Sequence, residues 1–101
     1  MTVEYSKRAV ADLINIAAYY EEAGVPGMGD RIASRVDEVV TRVVTWPKSG
    51  RLVRNEGDLR VVPLIQFPYL LFYELTASGI VQILHIRHAA RRPWRGPKRR
   101  D

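Results

Sequence analysis

Four residues near the C-terminus concentrate the side chains able to do chemistry. His85, Arg87, His88 and Arg91 fall within seven positions. Histidine exchanges protons near neutral pH, so either ring could act as a general acid or base. Arginine presents a planar fork of donors that grips phosphate or carboxylate. In an extended chain His85 and Arg87 share one face, and His88 takes the other unless the strand ends or bulges first. Each histidine also has a plain structural role open to it. His88, near a turn, could close a strand through a hydrogen bond, and His85 could simply alternate with apolar neighbours.

The charge around them is focused. Residues 1–84 carry 9 basic and 10 acidic groups, a net −1, while residues 85–101 carry Arg87, Arg91, Arg92, Arg95, Lys98, Arg99 and Arg100 against Asp101 alone. The whole net charge of +5 therefore arises in the last seventeen residues, which attract phosphate or an acidic protein surface. Arg91 and Arg92 could dock a partner's carboxylate. The cluster from Arg95 onward, broken by Gly96 and Pro97, reads as a mobile, solvated basic tail over 95–101. Trp94 could anchor that tail or stack on a partner.

Composition narrows the classes. With 101 residues the chain has room for one domain, expected over 1–94. A hydrophobic share of 47% with 27% charged is the balance of a globular chain rather than a disordered one. The absence of cysteine excludes a disulfide framework, a cysteine zinc site and thiol catalysis. No metal or cofactor is expected. No apolar run is long enough to span a bilayer, and the start lacks a secretory pattern, so a cytoplasmic protein without membrane contact is expected.

The elements that must position these residues follow from apolar periodicity. Val3 and Tyr5 alternate with Thr2 and Glu4, as in a brief strand. Ser6 is a helix N-cap candidate, and Val10, Leu13, Ile14, Ala17 and Tyr20 predict a helix over 7–23, stopped by Gly24. Pro26 suits the first turn of a second helix, in which Ile32, Val36, Val39, Val40, Val43 and Trp46 recur at helical spacing before Pro47 ends it. The valine-rich run Val39–Val44 makes a strand the competitor there, but the sustained period favours helix. The short join predicts an antiparallel helical hairpin. A loop over 47–58 could hold a short strand at Arg51–Arg54. Three strands then follow at Leu59–Ile65, Tyr69–Leu75 and Ile80–His88, with Pro63 arguing for an edge or bulge. The expected fold is α+β, with the helices on one face of a mostly antiparallel sheet. The second strand is apolar on both faces, so its outer face needs cover from the chain's own loops and tail or from a partner. In the last strand Leu84 and Ile86 are expected opposite Val81 and Ile83.

This order of elements resembles the ParE/RelE superfamily of toxins from bacterial toxin–antitoxin pairs. The resemblance runs over nearly the whole chain. It rests on Tyr5-Ser6-Lys7-Arg8-Ala9 with Ala11-Asp12-Leu13, on Trp46-Pro47-Lys48-Ser49-Gly50-Arg51, on Pro68 to Leu75, and on Val81 to Arg92. The last segment looks ParE-like: an apolar strand runs into His88, two small residues and Arg91, with Ala89 where many relatives have glycine.

The resemblance implies a toxin neutralised by a cognate antitoxin in a hetero-oligomeric complex. ParE-like members inhibit DNA gyrase; RelE-like members cut mRNA on the ribosome. The ParE-like ending favours gyrase inhibition without catalysis. Cleavage through a 2′-hydroxyl would need a proton acceptor, a proton donor and cations at the phosphate. By analogy with RelE-like members the candidates are Arg60, His85, Arg87, His88 and Arg91. Arg60, matching a strand arginine of that branch, could hold a phosphate, or could pair with Glu56, Asp58 or Glu74 on the surface. The chain lacks the lysine-rich loop of some RelE relatives and the terminal His-Tyr pair of others. As a binding surface for target or antitoxin the set is Arg60, Arg87, His88, Arg91, Arg92, Trp94 and Arg95. A general nucleic-acid-binding module is a third reading, supported by the basic tail with Trp94 alone.

Overall fold

A computed structural model describes residues 2–92 and 94–97. The outer part of the basic tail, Lys98 to Asp101, lies outside the described residues, as do Met1 and Pro93. The elements are β1 (Thr2–Tyr5), α1 (Lys7–Glu22), α2 (Met28–Thr45), β2 (Arg51–Leu52), β3 (Arg60–Pro63), β4 (Tyr69–Leu75) and β5 (Ile80–His88). The strands form one sheet in the order β1-β5-β4-β3-β2, with β1 parallel to β5 and every other pairing antiparallel.

Ser6 ties three parts of the chain together. Its hydroxyl oxygen accepts the Ala9 amide at 3.0 Å as N-cap of α1, and its hydroxyl donates to the Leu84 carbonyl at 2.9 Å. Its own amide donates to the Ile83 carbonyl at 2.9 Å, just where β1 stops pairing with β5. At the far end of α1, Val25 N–H returns to the Tyr20 carbonyl at 2.9 Å and Gly24 N–H to the Glu21 carbonyl at 3.2 Å, a paired closure that satisfies the last carbonyls.

The second helix begins two residues later than Pro26 suggests. Met28 N–H reaches the Val25 carbonyl at 3.3 Å, and Gly27 has φ +84°. Pro26-Gly27 thus forms the centre of a tight turn whose second position needs a left-handed residue, and a helix cannot pass through it. Inside α2 the valines are helical, and Ile32, Val36, Val39, Val40 and Val43 are buried. Trp46 is not part of that stripe: it caps the helix end and is 67% exposed. In α1 the inward residues are Ala9, Leu13, Ile16, Ala17 and Tyr20, whereas Val10 and Ile14 face solvent.

The main core lies between the helices and one face of the sheet, where Leu71, Tyr73, Val81, Ile83 and Ile86 meet α2. A smaller cluster of Leu59, Val61 and Phe72 fills the outer face, backed by Val53, Leu70, Leu84 and Trp94. The chain's own loop and tail therefore cover part of the second apolar face of β4, burying Phe72 and leaving Leu70 half-buried. Pro63 ends β3 beyond the two residues that pair with β2, so its missing N–H costs no ladder bond.

The last strand departs from simple alternation. Phe72 pairs with His85 and Tyr73 with Ile83, leaving Leu84 as an extra residue. This bulge shifts the phase of the strand. Ile86 joins Val81 and Ile83 in the main core and Leu84 goes to the outer cluster, contrary to the expected grouping of Leu84 with Ile86.

Candidate functional site

The bulge sets the direction of His85. Its ring stacks on Phe72 with centroids 6.2 Å apart and meets the edge of Trp94 at 4.9 Å, and the residue is 2% exposed. Beyond Tyr5 the sheet has no β1 partner for β5, and α1 fills that place. The Asp12 carboxylate accepts the Ile86 amide at 2.9 Å and meets His85 Nδ1 at 2.5 Å. The Arg8 Nε–H also points at Nδ1, at 3.3 Å, so this ring nitrogen lies between the Asp12 carboxylate and the Arg8 guanidinium. The guanidiniums of Arg8 and Arg87 both approach Nε2 at 3.5 Å. Burial lowers the His85 pKa below its ordinary value, the Asp12 bond opposes that, and the two arginines reinforce it.

His88 is held differently. It lies opposite Tyr69, whose ring it meets edge-on at 5.4 Å, and its Nδ1 accepts the Ala90 amide at 3.0 Å. His88 thus closes the strand end by a hydrogen bond. Tyr69 donates to the Tyr20 hydroxyl at 3.4 Å, and burial together with this bond raises the Tyr69 pKa.

On the outer face a groove opens beside these residues. Its floor is Val53, Val61, Leu70 and Phe72. Arg51 of β2 and Arg54 of the following loop stand on one bank; Arg87, Arg91, Arg92 and Arg95 stand on the other, with His88 and Trp94. No carboxylate is among the lining residues. Six guanidiniums without an acid give this groove a focused positive charge able to attract an anionic group.

Of the predicted set, the structure gathers Arg87, His88, Arg91, Arg92, Trp94 and Arg95 at one groove. His85 sits beneath Trp94 rather than on the groove wall. Arg60 stands apart. It pairs with Tyr73 on the helix-facing side, and its guanidinium donates to the carbonyls of Lys48 at 3.1 Å and Gly50 at 2.8 Å rather than into the groove. The Tyr73 hydroxyl completes that anchor, donating to the Pro47 carbonyl at 2.8 Å and accepting the Gly50 amide at 2.9 Å. A Cβ on Gly50 would stand 2.6 Å from the Tyr73 hydroxyl, so only glycine fits there. Arg60 and Tyr73 thus shape the Trp46–Arg51 segment.

Trp94 packs edge-on against Phe72 at 5.0 Å and carries Arg8 over its ring at 5.8 Å. It anchors the tail to the sheet, and Gly96 continues along Leu59. Arg51 and Arg54 were invisible in the charge count because acids elsewhere balance them. Arg8 and Asp12 carried only a family signal at the start of the chain. Among the described residues, no group of three potential metal ligands converges, and no helix is long and apolar enough to cross a membrane.

A family model for the ParE toxin of type II toxin-antitoxin system, parDE, matches residues 3–93. The chain belongs to the ParE toxin family. It is 37% identical over 90 residues to Toxin RelE2 of Caulobacter vibrioides, covering 88% of this chain and 96% of that protein. The fold matches a solved chain of the chromosomal ParDE TA system from P. aeruginosa with a TM-score of 0.74 at 22% identity, over 87% of this chain and 95% of that one. It also matches a chain of the intact E. coli RelBE toxin-antitoxin complex with a TM-score of 0.63 at 16% identity, over 89% and 98%. This ParE-family chain is a toxin of the type II toxin–antitoxin class with the α+β fold shared by ParE and RelE toxins.

Proposed function

We infer that this toxin acts as a ParE-like inhibitor of DNA gyrase, with the arginine groove as its macromolecular contact surface and a cognate antitoxin as its neutralising partner. The observation that carries this reading is the engagement of both histidines. His85 is buried, bonded to Asp12 and roofed by Trp94, while His88 spends Nδ1 on the Ala90 amide. A site that cleaves RNA through its 2′-hydroxyl would need an acid and a base converging on one phosphate. The groove instead offers guanidiniums around an apolar floor, which suits an acidic surface or segment carrying apolar anchors.

The test is gyrase supercoiling with the purified chain. Inhibition by the toxin, relieved by its antitoxin, is expected. Intact supercoiling at excess toxin, with mRNA cut only on translating ribosomes, would transfer the groove to a nuclease and overturn the gyrase reading.

A further inference from the structure

Five arginines of the groove keep their donors unspent. Arg51, Arg54, Arg91, Arg92 and Arg95 are exposed, and their side chains make no hydrogen bond or ion pair among the described residues. Outside the groove, Arg35 is spent on Glu38 and Gln66, and Arg60 on two carbonyls. The segment between β2 and β3 also sorts its charges. Arg54 lines the groove, whereas Glu56 and Asp58 of the same turn do not. Gathering like charges on both banks leaves the free toxin self-repelling, and an anionic occupant relieves that. The banks come from distant parts of the chain. The first hangs on two ladder pairs, Arg51 with Val61 and Leu52 with Arg60, and on the Val53 amide, which donates to the Leu59 carbonyl at 2.8 Å. The second follows β5 and is held by Trp94 against Phe72. Between them lies an open cavity of about 370 Å³ over an apolar floor.

We propose that this groove is the docking site of the antitoxin, taking an acidic segment that sets an apolar side chain on the floor and carboxylates on both banks. The docking rests on the antitoxin partnership above. Its consequence, exclusion of gyrase from the same groove, rests on the gyrase reading. Carboxylates match the free guanidinium forks of Arg51 and Arg54 on one side and of Arg91, Arg92 and Arg95 on the other. The floor decides against a nucleic-acid backbone. Val53 and Leu70 are half-buried, and phosphates and sugars would leave them without an apolar partner, whereas a peptide supplies both kinds of contact. Arg51 and Arg54 thereby enter the antitoxin interface, and an occupant that touches both banks ties the β2 edge to the C-terminal arm.

The complex of the full chain with its antitoxin tests this by NMR. With methyl-labelled toxin and unlabelled antitoxin, intermolecular NOEs from the methyl groups of Val53, Val61 and Leu70 are expected. Their absence in the assembled complex overturns the proposal. The second arm measures antitoxin affinity for Arg51→Ala combined with Arg54→Ala, both at exposed positions. A loss of tenfold or more with an unchanged thermal midpoint is expected, and unchanged affinity overturns the two-bank site. A short DNA duplex is the nucleic-acid probe. If it shifts the three methyl resonances at lower concentration than the antitoxin does, the groove belongs to nucleic acid and the assigned occupant is overturned. Gyrase supercoiling is followed separately. If it is never inhibited while the NOEs and the affinity loss appear, the target reading fails and the docking site stands. If inhibition is relieved by antitoxin that leaves the groove methyls untouched, the docking site fails and the target reading stands.

Discussion

The carboxylate of Asp12 closes the open edge of β5 by meeting His85 Nδ1 at 2.5 Å while accepting the neighbouring Ile86 amide at 2.9 Å. One α1 side chain thus replaces the strand partner that β1 stops providing after Tyr5, and it orients the ring that supports Trp94. Asp12→Ala should cost about 2–3 kcal/mol, because it strands a buried amide and frees a buried ring. The thermal midpoint should then fall by roughly 10 °C. An unchanged midpoint would show that the edge is held by other means.

Acid should weaken the fold through His85. Its folded pKa lies below the ordinary 6.5, so between the two values the unfolded chain binds more protons. Stability is therefore full above 6.5, falls as pH drops below it, and stops changing on this account once pH passes below the folded value. Denaturant unfolding from pH 7.5 to 5.5 should show this slope, and His85→Gln should flatten it. A wild-type slope that persists in His85→Gln would assign it to other groups.

Tyr73 and Arg60 should behave as anchors of the segment before β2. Tyr73→Phe removes one donor and one acceptor, and should cost about 1–2 kcal/mol. Hydrogen exchange at the Gly50 amide should speed up in the same variant. Arg60→Ala should loosen the same amide, since its bonds end on Lys48 and Gly50. If Gly50 protection is unaffected in both variants, the anchoring role is refuted.

Arg91→Ala with Arg92→Ala should weaken the antitoxin complex by about tenfold or more and make it less sensitive to salt, since two charged contacts leave the groove. Isothermal titration at two salt concentrations reads both effects. Equal affinity and equal salt response would exclude these arginines from the interface.

Trp94→Ala should uncover Phe72 and His85 and cost about 2 kcal/mol. In a Trp46→Phe background, fluorescence reports on Trp94 alone. Emission as red as that of a fully hydrated indole in the native protein would contradict its packing.

Much of this fold is legible in local pattern. Ser6 as a cap, Tyr69–Leu75 and Ile80–His88 as strands, and α2 as a helix despite its valines follow from capping chemistry and periodicity, which act within a few residues. So does the concentration of arginine at the C-terminus, and with it the expectation of an anionic partner. Pattern fails where a contact between distant segments decides. The bulge at Leu84 depends on pairing with β4, and it alone sends Ile86 inward and His85 toward Asp12. Arg51 and Arg54 become the second bank of the groove only when β2 docks on β3, and Arg60 leaves the candidate site only when the Lys48 and Gly50 carbonyls come within its reach. Charge and periodicity are properties of the chain order, whereas these placements are set by register and packing between residues as many as 78 positions apart.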